Sequence, residues 1–593
     1  MCGIISVLSF KNKISEDLIS ALERLEYRGY DSAGIAYVDE SSKLERIRSV
    51  GRVQNLKDIV ENLNIGSNLG IGHTRWATHG KATERNAHPH ICNGVAIVHN
   101  GIIENYQALK KDLLNKGDEF ESETDSEAIA KLIAYNINRG NGFVEAFKES
   151  IAQLVGTFAI VAIYEKEPNV LLGAKIGSPM VVGLSSDKNS FYIASDAAAL
   201  ASLAEDVSYL EEGDLVAATK TDKLTYEILD SNRKKVLRNV ISNATSINDV
   251  SKNGYETFML KEIFEEAIVA RRVYDNFSYN INDLKFDGVS IIACGTSYYA
   301  GLLAKYWIEE IAKIHVDVEI ASEFRYRNPV LSRNLLYIFI SQSGETIDTL
   351  YAMRLVKEFG SQTVALVNVE GSSLAREADF VIKTVAGTEV GVASTKAFIA
   401  QTLSLLLLFA DKKNIDISQI ESSINFVLNN HYKFAHEAEK IKDSKSLFYI
   451  GRGVNYPIAL EGALKIKELS YTSAEGYPSG EIKHGPIAII DENVYTVSIA
   501  PFDKNFEKTI SNTQEILARN GKILLITTEK AKAYLNELLG DKNLDCLFLP
   551  DANSICQPFC IITAIHLLAY YTSKFKGHDV DKPRNLAKSV TVE

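Results

Sequence analysis

The spacing of apolar residues changes near the middle of the chain and predicts two halves of different architecture. Between residues 1 and 235, short apolar runs are broken up by glycine and asparagine, which indicates a strand-rich domain with intervening helices. Polar residues dominate over 236–255, where we place a linker. Beyond the linker, apolar strand-like runs alternate with helical patterns. That alternation predicts parallel sheets with crossover helices.

The second half has the pattern of two copies of one α/β module. The strand-to-helix units recur at similar offsets, 156 residues from Gly295 to Gly451 and 159 residues from Ile340 to Ile499. The predicted organisation is therefore a first domain over 2–235, the linker, two α/β domains over 256–430 and 431–580, and a tail over 581–593.

Length and composition place the chain among multidomain globular proteins. Its 593 residues far exceed the roughly 300 at which a single core stops growing. Its hydrophobic fraction of 46% and charged fraction of 24% are ordinary for such proteins. The longest apolar run, AFIAQTLSLLLLFA, is too short and too polar to cross a bilayer and predicts a buried helix, and the N-terminus lacks the features of a signal peptide.

Charge and cysteine usage narrow the range of partners. The formal net charge of -12, without runs of like charge, argues against a nucleic-acid surface, so any phosphate must be bound by a local group of donors. The six cysteines form no CxxC pair and predict neither a disulfide framework nor a zinc finger. A reducing cytoplasm fits this usage.

The second residue of the chain is a candidate nucleophile. Removal of the initiator methionine would leave Cys2 with a free α-amine beside its thiol. Reference pKa values near 8.5 for a thiol and about 8 for an α-amine make proton transfer between them cost only about 1 kcal/mol. The amine could therefore act as the base for its own thiol. An incidental cysteine is the alternative, and position 2 by itself favours it.

Motifs within the first 130 residues favour a catalytic role for Cys2 over an incidental cysteine. They are LEYRGYDSAG, GHTRWATHG, NAHPH, HNGIIEN and SETDSE. Arg75 and Asp125 are the charged pair that a zwitterionic amino acid requires, and Asn100 and Gly101 could stabilise an oxyanion. Together with Cys2, these motifs resemble the class II glutamine amidotransferase family. Its glutaminase domain is a four-layer αββα fold with an N-terminal nucleophile.

The resemblance implies a role for each matching residue. Cys2 would be the nucleophile, Asn100 and Gly101 the oxyanion hole, and Trp76 the gate through which ammonia leaves. The implied glutamine-binding residues are Arg75, Trp76, Thr78, His88 and Asp125.

Two cofactor alternatives have weaker support. Five histidines lie between His73 and His99, but HExxH or comparable metal-ligand spacing is missing. The stretch GRGVNY lacks the third glycine of a dinucleotide fingerprint. We therefore expect no metal and no cofactor.

In the second half, two strand-to-helix turns carry hydroxyls and free backbone amides that suit an anion. IFISQSGETIDTL contributes Ser341, Gln342, Ser343 and Thr346, and ACGTSYYAG contributes Thr296 and Ser297. Either turn alone is a weak signal, because serine and threonine often cap helices without a ligand. Both turns, with Ser394 in VASTKAF, resemble the sugar isomerase domain, a doubly wound parallel-sheet module that binds phosphosugars.

A final group of residues extends the resemblance to the whole chain. Lys465 and Glu468 share a face of a predicted helix, although a solvated ion pair would explain them equally well. His484 in GEIKHGP and Lys588 in DKPRNLAKSVTVE complete the set. In this domain order, the chain resembles the glutamine:fructose-6-phosphate aminotransferase (isomerising) family.

That family implies conversion of glutamine and fructose 6-phosphate to glutamate and glucosamine 6-phosphate, the first step of amino-sugar nucleotide biosynthesis. His484 would open the sugar ring, and Lys588 would form a Schiff base at C2. Glu468 would move a proton between C1 and C2, and Lys465 would assist electrostatically. Ammonia would pass through a closed channel, which keeps it from being protonated in solvent. The family further implies a cytoplasmic homodimer without nucleic-acid or membrane partners.

The chain departs from the family pattern at four positions. Glu266 and Ala267 stand where Gln-Pro is expected, and Gly476 and Pro478 lie in a usually alanine-rich stretch. These departures concern local geometry. Two other functions remain as alternatives: a different glutamine amidotransferase, for which an acidic diphosphoribose loop or an SGGxDS loop is missing, and a silent sugar-phosphate sensor, which would need neither Cys2, Glu468 nor Lys588.

Overall fold

A computed structural model describes residues 2–63, 65–77, 79–243, 251–281, 284–536 and 538–591. The chain forms two compact units, which we call unit 1 (Met1–Val250 with Ala587–Glu593) and unit 2 (Ser251–Leu586). Thr78, one of the predicted glutamine-binding residues, lies outside the described residues.

The described part of unit 1 contains two antiparallel sheets. The strands in chain order are β1 (Gly3–Ser9), β2 (Ser32–Asp39), β3 (Leu44–Val50), β4 (Ser67–Arg75), β5 (His90–Cys92), β6 (Val95–Ile103), β7 (Gly156–Tyr164), β8 (Val170–Ile176), β9 (Val181–Leu184), β10 (Ser190–Ala194), β11 (Asp206–Tyr209), β12 (Leu215–Lys220), β13 (Leu224–Leu229), β14 (Lys235–Val236) and β15 (Val240–Ser242). The first sheet has the order β15-β11-β9-β10-β1-β4-β2-β3, and the second has the order β14-β13-β12-β8-β7-β6-β5.

Helices cover the outer face of each sheet. They are α1 (Ser15–Leu25), α2 (Val53–Val60), α3 (Tyr106–Asn115), α4 (Ser126–Asn138) and α5 (Phe143–Ile151). Apolar residues of α1 and α2 pack on the first sheet, and those of α4 and α5 pack on the second. A third apolar layer, which includes Ile4 of β1 and Val98 of β6, lies between the sheets. The predicted αββα order is confirmed, and it explains why β1 is buried along its whole length.

The last strand of the first sheet lies within the stretch predicted as the linker, 236–255. Val240–Ser242 pairs antiparallel with β11 despite its polar surroundings. Pairing with a distant strand leaves no trace in local composition, so the sequence did not indicate it. The domain boundaries proposed from the sequence stay predictions.

The described part of unit 2 contains two parallel sheets with the same strand order. The strands are β16 (Gly288–Ala293), β17 (His315–Ile320), β18 (Leu335–Ser341), β19 (Thr363–Val367), β20 (Phe380–Lys383), β21 (Ser446–Gly451), β22 (Ser473–Pro478), β23 (Val494–Ile499), β24 (Lys522–Thr528) and β25 (Leu544–Leu549). The orders β17-β16-β18-β19-β20 and β22-β21-β23-β24-β25 are both the doubly wound order 2-1-3-4-5. The internal repeat expected from the sequence is therefore present.

The helices of unit 2 pack on both faces of the two sheets, where most of them contribute to one large apolar core and the others to two smaller ones. They are α6 (Phe258–Phe264), α7 (Glu266–Asn276), α8 (Gly295–Trp307), α9 (Ala321–Phe324), α10 (Ile347–Phe359), α11 (Ser373–Glu377), α12 (Lys396–Phe409), α13 (Ile417–Asn429), α14 (His431–Ile441), α15 (Asn455–Ser470), α16 (Phe506–Leu517), α17 (Lys532–Leu535) and α18 (Gln557–Phe575). The apolar run predicted to form a buried helix is α12, and α18 is buried over nearly its full length.

One departure from the family pattern has a packing explanation. A Cβ atom on Gly476, in β22, would lie 2.8 Å from the Cα of Leu460 in α15. Glycine therefore lets the strand run against the backbone of that helix.

No helix in the described part of the chain combines the length and apolar character needed to span a bilayer.

Candidate active sites

Cys2 lies immediately before β1, at the edge of a cleft in unit 1. Pairing of Gly3 with Thr74 brings residue 2 beside the end of β4. The Cys2 thiol donates a hydrogen bond to the carbonyl oxygen of Trp76 at 3.4 Å, and its sulfur accepts one from the Trp76 N–H at 3.3 Å. Burial raises the pKa of the Cys2 thiol, while the nearby Arg75 guanidinium acts in the opposite direction.

The predicted oxyanion residues come from β6, in the other sheet of unit 1. Asn100 Nδ2 donates a 2.9 Å hydrogen bond to the backbone oxygen of Cys2, and Asn100 Oδ1 lies 3.1 Å from His73 Nε2. Gly101 has φ +128°, and a Cβ atom there would lie 2.0 Å from the carbonyl oxygen of Thr157. Only glycine fits at this position. β6 thus carries an amide donor directly to the candidate nucleophile.

The predicted pair of charges lines the same cleft as Cys2. Arg75 donates to the backbone oxygens of Lys81 and Gly80, both at 3.2 Å, and so braces the loop that follows β4. Asp125, just before α4, accepts a 2.9 Å hydrogen bond from the Ile103 N–H. The cleft therefore brings together a thiol, a guanidinium and a carboxylate. Its remaining lining residues are Trp76, His79, His88, His99, Asn100, Gly101, Thr124, Ser126 and Thr591.

Three histidines beside this cleft, His73, His88 and His99, are buried, and burial lowers the pKa of each. The rings of His73 and His88 stack at 4.0 Å. Burial lowers the pKa of His73 to about 3 and lowers that of His88 well below its ordinary value. His99 Nδ1 lies 2.9 Å from Ser126 Oγ. Within the described ranges, no group of three histidine, cysteine, aspartate or glutamate side chains could hold a metal ion.

Two residues near Cys2 escaped the sequence reasoning. Asp31 accepts a 2.8 Å hydrogen bond from the Ala77 N–H, and its negative charge acts to raise the pKa of the Cys2 thiol. Thr591, three residues beyond Lys588, lines the cleft. For Asp31, the motif LEYRGYDSAG was a usable sequence signal, whereas Thr591 had none.

In unit 2, the predicted phosphate-binding turn links β18 to α10. Ser341 Oγ lies 2.9 Å from Thr346 Oγ1 and accepts a 3.0 Å hydrogen bond from the Gly344 N–H. Ser343 Oγ accepts from the Glu345 N–H at 3.2 Å. Gly344 has φ +65°, which lets the chain fold back tightly over the strand end. The turn therefore gathers hydroxyls and a helix N-terminus at one point, and Gln342 lies within it.

The second predicted turn lies at the end of the neighbouring strand β16. β16 and β18 are adjacent at the point where the strand order reverses, which is where open α/β sheets bind ligands. Thr296 Oγ1, in the first turn of α8 with Ser297, donates a 3.2 Å hydrogen bond to Glu461 Oε1. Ser394 Oγ donates to Glu389 Oε2 at 3.0 Å.

Lys465 and Glu468 form an ion pair of 2.7 Å on α15. Lys465 is 1% exposed, so the solvated ion pair considered as an alternative does not describe it. Burial disfavours the charged amine, but Glu461 and Glu468 together raise the pKa of Lys465. Glu461 lies 3.4 Å from Lys465 and was missed by the sequence reasoning, although its i,i+4 spacing was a usable signal.

The last two residues predicted for the sugar site are His484 and Lys588. His484 is exposed and follows a short turn, where its N–H donates to the Glu481 oxygen at 2.9 Å. Lys588 belongs to the tail segment of unit 1. The roles of both residues at the sugar stay predictions.

Comparisons with known proteins cover both halves of the chain. Residues 73–202 match the glutamine amidotransferase domain family, and residues 287–410 and 440–546 match the SIS domain family. Two relatives, from Bartonella henselae and Zymomonas mobilis, are named glutamine–fructose-6-phosphate aminotransferase (isomerizing). Each is 44% identical to this chain, over 619 and 618 residues respectively. Each match covers 100% of this chain and 100% of the relative.

A solved structure gives the same result for the second half. The C-terminal domain of glucosamine-fructose-6-phosphate aminotransferase from Francisella tularensis is 39% identical, with a TM-score of 0.53. The match covers 56% of this chain and 99% of that one.

Proposed function

Because the chain belongs to the glutamine–fructose-6-phosphate aminotransferase (isomerizing) family, we propose that it makes glucosamine 6-phosphate and glutamate from fructose 6-phosphate and glutamine. The observation that carries the proposal is the cleft in which Asn100 Nδ2 bonds the backbone of Cys2 while Arg75 and Asp125 line the same space. A sugar-phosphate sensor would have no use for this arrangement.

In the first half-reaction, the Cys2 thiolate attacks the carboxamide carbon of glutamine. The α-amine of the processed N-terminus takes the thiol proton. Asn100 Nδ2 and the Gly101 N–H stabilise the oxyanion as the C–S bond forms. The N-terminal ammonium returns its proton to the departing nitrogen as the C–N bond breaks, so ammonia leaves and a γ-glutamyl thioester remains on Cys2. Water then hydrolyses the thioester to glutamate and the free thiol.

Glutamine is held at its two charged ends. The Arg75 guanidinium pairs with the α-carboxylate, and the Asp125 carboxylate pairs with the α-ammonium. Trp76, Thr78 and His88 complete the binding site in this proposal, and the Trp76 ring gates the departure of ammonia. The neutral His88 adds no positive charge that would repel the substrate ammonium.

In the second half-reaction, the phosphate of the sugar binds Ser341, Gln342, Ser343 and Thr346. Thr296, Ser297 and Ser394 complete the sugar site. His484 opens the ring, and the Lys588 amine forms a Schiff base with the C2 carbonyl and expels water. Ammonia then displaces the lysine. Glu468 carries a proton from C1 to C2, and Lys465 stabilises the charge of Glu468.

We further propose a cytoplasmic homodimer that binds neither nucleic acid nor membrane. All six cysteines lie within the described residues and are free thiols, which suits a reducing compartment. The net charge of -12 disfavours nucleic acid. The exposure of His484 on its own subunit is compatible with entry into a partner's site.

The test is incubation of the purified protein with glutamine and fructose 6-phosphate, followed by mass spectrometry. Formation of glucosamine 6-phosphate supports the proposal. Glutamate without aminosugar would favour another amidotransferase, and a lack of turnover would favour a sensor. A Cys2→Ala variant should stop consuming glutamine and still isomerise fructose 6-phosphate, and continued glutamine consumption would overturn the nucleophile assignment.

A further inference from the structure

Glu266, one of the departures from the family pattern, is completely buried at the start of α7 and has two partners on α18. Its Oε1 accepts a 2.6 Å hydrogen bond from His566 Nδ1, and its Oε2 accepts a 2.5 Å bond from Thr563 Oγ1. His566 is also 0% exposed. The glutamate is thus one half of a buried ion pair between residues 300 apart in sequence.

The other nitrogen of His566 faces Glu461, a residue of the sugar half that already touches Lys465. The distance from His566 Nε2 to Glu461 Oε1 is 3.8 Å, and the distance from Lys465 Nζ to that oxygen is 3.4 Å. Lys465 in turn lies 2.7 Å from Glu468. Five groups of alternating charge therefore form one continuous row: Glu266, His566, Glu461, Lys465 and Glu468.

His566 carries a positive charge within this row. Burial alone would favour the neutral ring, but Glu266 and Glu461 on its two sides raise the pKa of His566 to about 9. The edge of the ring packs against Phe398 of α12 at 6.2 Å, an uncharged neighbour. At neutral pH, the single positive charge of the imidazolium is therefore shared between the buried carboxylates of Glu266 and Glu461.

Other groups act on the same row from neighbouring elements. Thr296 of α8 donates to Glu461, and the hydroxyl of Tyr299 lies near Glu461 and Lys465. Glu389, before α12, adds a further negative charge that acts on Lys465. With Glu389 present, Lys465 faces three carboxylates and cannot neutralise them alone.

We propose that Glu266 and His566 are positioning residues for the sugar reaction. The imidazolium of His566 partly neutralises Glu461, and the ammonium of Lys465 is then available to hold Glu468 as the carboxylate that accepts the C1 proton. Glu266 fixes the ring and keeps it charged. This inference rests on the role of Glu468 given in the proposed function.

The test compares pH profiles of fructose 6-phosphate isomerisation by the full-length protein between pH 5.5 and 9.5. In His566→Gln, Glu266 keeps its negative charge but loses the imidazolium that faced it. The carboxylates of the row then bind a proton more readily. We expect the acid limb of the rate profile to move to higher pH by about one unit, a loss of roughly tenfold at pH 6, with recovery in alkali. The double variant Glu266→Gln/His566→Gln removes both charges and should restore at least half of that shift.

Thr563→Val is the matched control, because it removes the other partner of Glu266 without any change of charge. It should lower thermal stability and leave the acid limb in place. Glutamine hydrolysis, measured in the same preparations, should be unchanged in every variant. A purely structural role for the pair would lower the isomerisation rate equally at all pH values.

Glu266→Gln provides an independent variant if His566→Gln does not fold. Without Glu266 the row loses one negative charge, so the acid limb should move to lower pH, in the direction opposite to the shift expected for His566→Gln. Profiles of His566→Gln or Glu266→Gln that superimpose on the parent profile would overturn the inference, as would equal shifts in the single and double His566 variants. A parent protein that neither isomerises nor aminates the sugar would instead count against the proposed function.

Discussion

Asn100 and Cys2 are 98 residues apart in sequence and are joined by a hydrogen bond of 2.9 Å from Asn100 Nδ2 to the Cys2 carbonyl oxygen. The bond links β6 of one sheet to the residue that precedes β1 of the other. It fixes the amide donor relative to Cys2, the proposed nucleophile, before any substrate arrives. Such preorganised donors are worth most where charge develops during the reaction.

Replacement of Asn100 by alanine tests this arrangement. Loss of one oxyanion donor should lower kcat for glutamine hydrolysis by about 10²- to 10³-fold and change KM little, because the donor acts mainly on the transition state. Steady-state glutamate release is the measurement. Asn115→Ala, at the exposed end of α3, is the matched control and should be unaffected. A loss smaller than threefold in Asn100→Ala would remove this residue from the oxyanion hole.

Asp125→Asn tests the recognition of the substrate ammonium. The variant keeps an oxygen that can accept from the Ile103 N–H but loses the charge. Loss of a charged hydrogen bond worth roughly 1.5–3 kcal/mol should raise KM for glutamine about 10- to 100-fold. For a glutamine analogue without the α-amino group, the parent and the variant should differ little.

The control for that prediction is Asp112→Asn, an exposed residue of α3 paired with Lys116. It should leave KM unchanged for both compounds. If Asp125→Asn lost affinity equally for glutamine and for the analogue, Asp125 would support the fold of the cleft and would not bind the ammonium.

The buried His566–Glu266 pair should make stability depend on pH in alkali. The folded state raises the pKa of His566 from 6.5 to about 9, so the proton is held more tightly in the folded than in the unfolded chain. The resulting stabilisation is fully present below pH 6.5 and is lost as the pH rises through about 9. Its size is on the order of a few kcal/mol.

Thermal denaturation between pH 6 and 10 measures this effect. The Tm of the parent protein should fall more steeply with pH than the Tm of Glu266→Gln/His566→Gln, which lacks both charges. Their difference isolates the pair, because the other titrating groups are common to both proteins. Parallel Tm curves would show that the pair makes no net electrostatic contribution.

The sequence predicted the features that depend on local pattern. The continuous apolar run of α12 predicted a buried helix, and the recurrence from Gly295 to Gly451 predicted two similar sheets. Cys2 and Asn100 could be assigned to one site only because their motifs resembled a family. Periodicity says nothing about a contact across 98 residues.

The features that the sequence did not predict depend on pairing between distant segments. Val240–Ser242 joins the sheet of unit 1 through β11, although its own composition indicated a linker. Glu266 was noticed as a departure, but its partner His566 is 300 residues away on α18. Only the folded chain brings such groups together, so their interactions can be recognised only from the structure.

We propose that the amide nitrogen of glutamine reaches the sugar without mixing with solvent. The most direct measurement is to supply [amide-15N]glutamine and fructose 6-phosphate in the presence of excess unlabelled ammonium and to determine the isotope in the aminosugar by mass spectrometry. If the nitrogen is channelled, almost all of the glucosamine 6-phosphate should carry 15N. Aminosugar with mostly unlabelled nitrogen, or glutamate without any aminosugar, would contradict it.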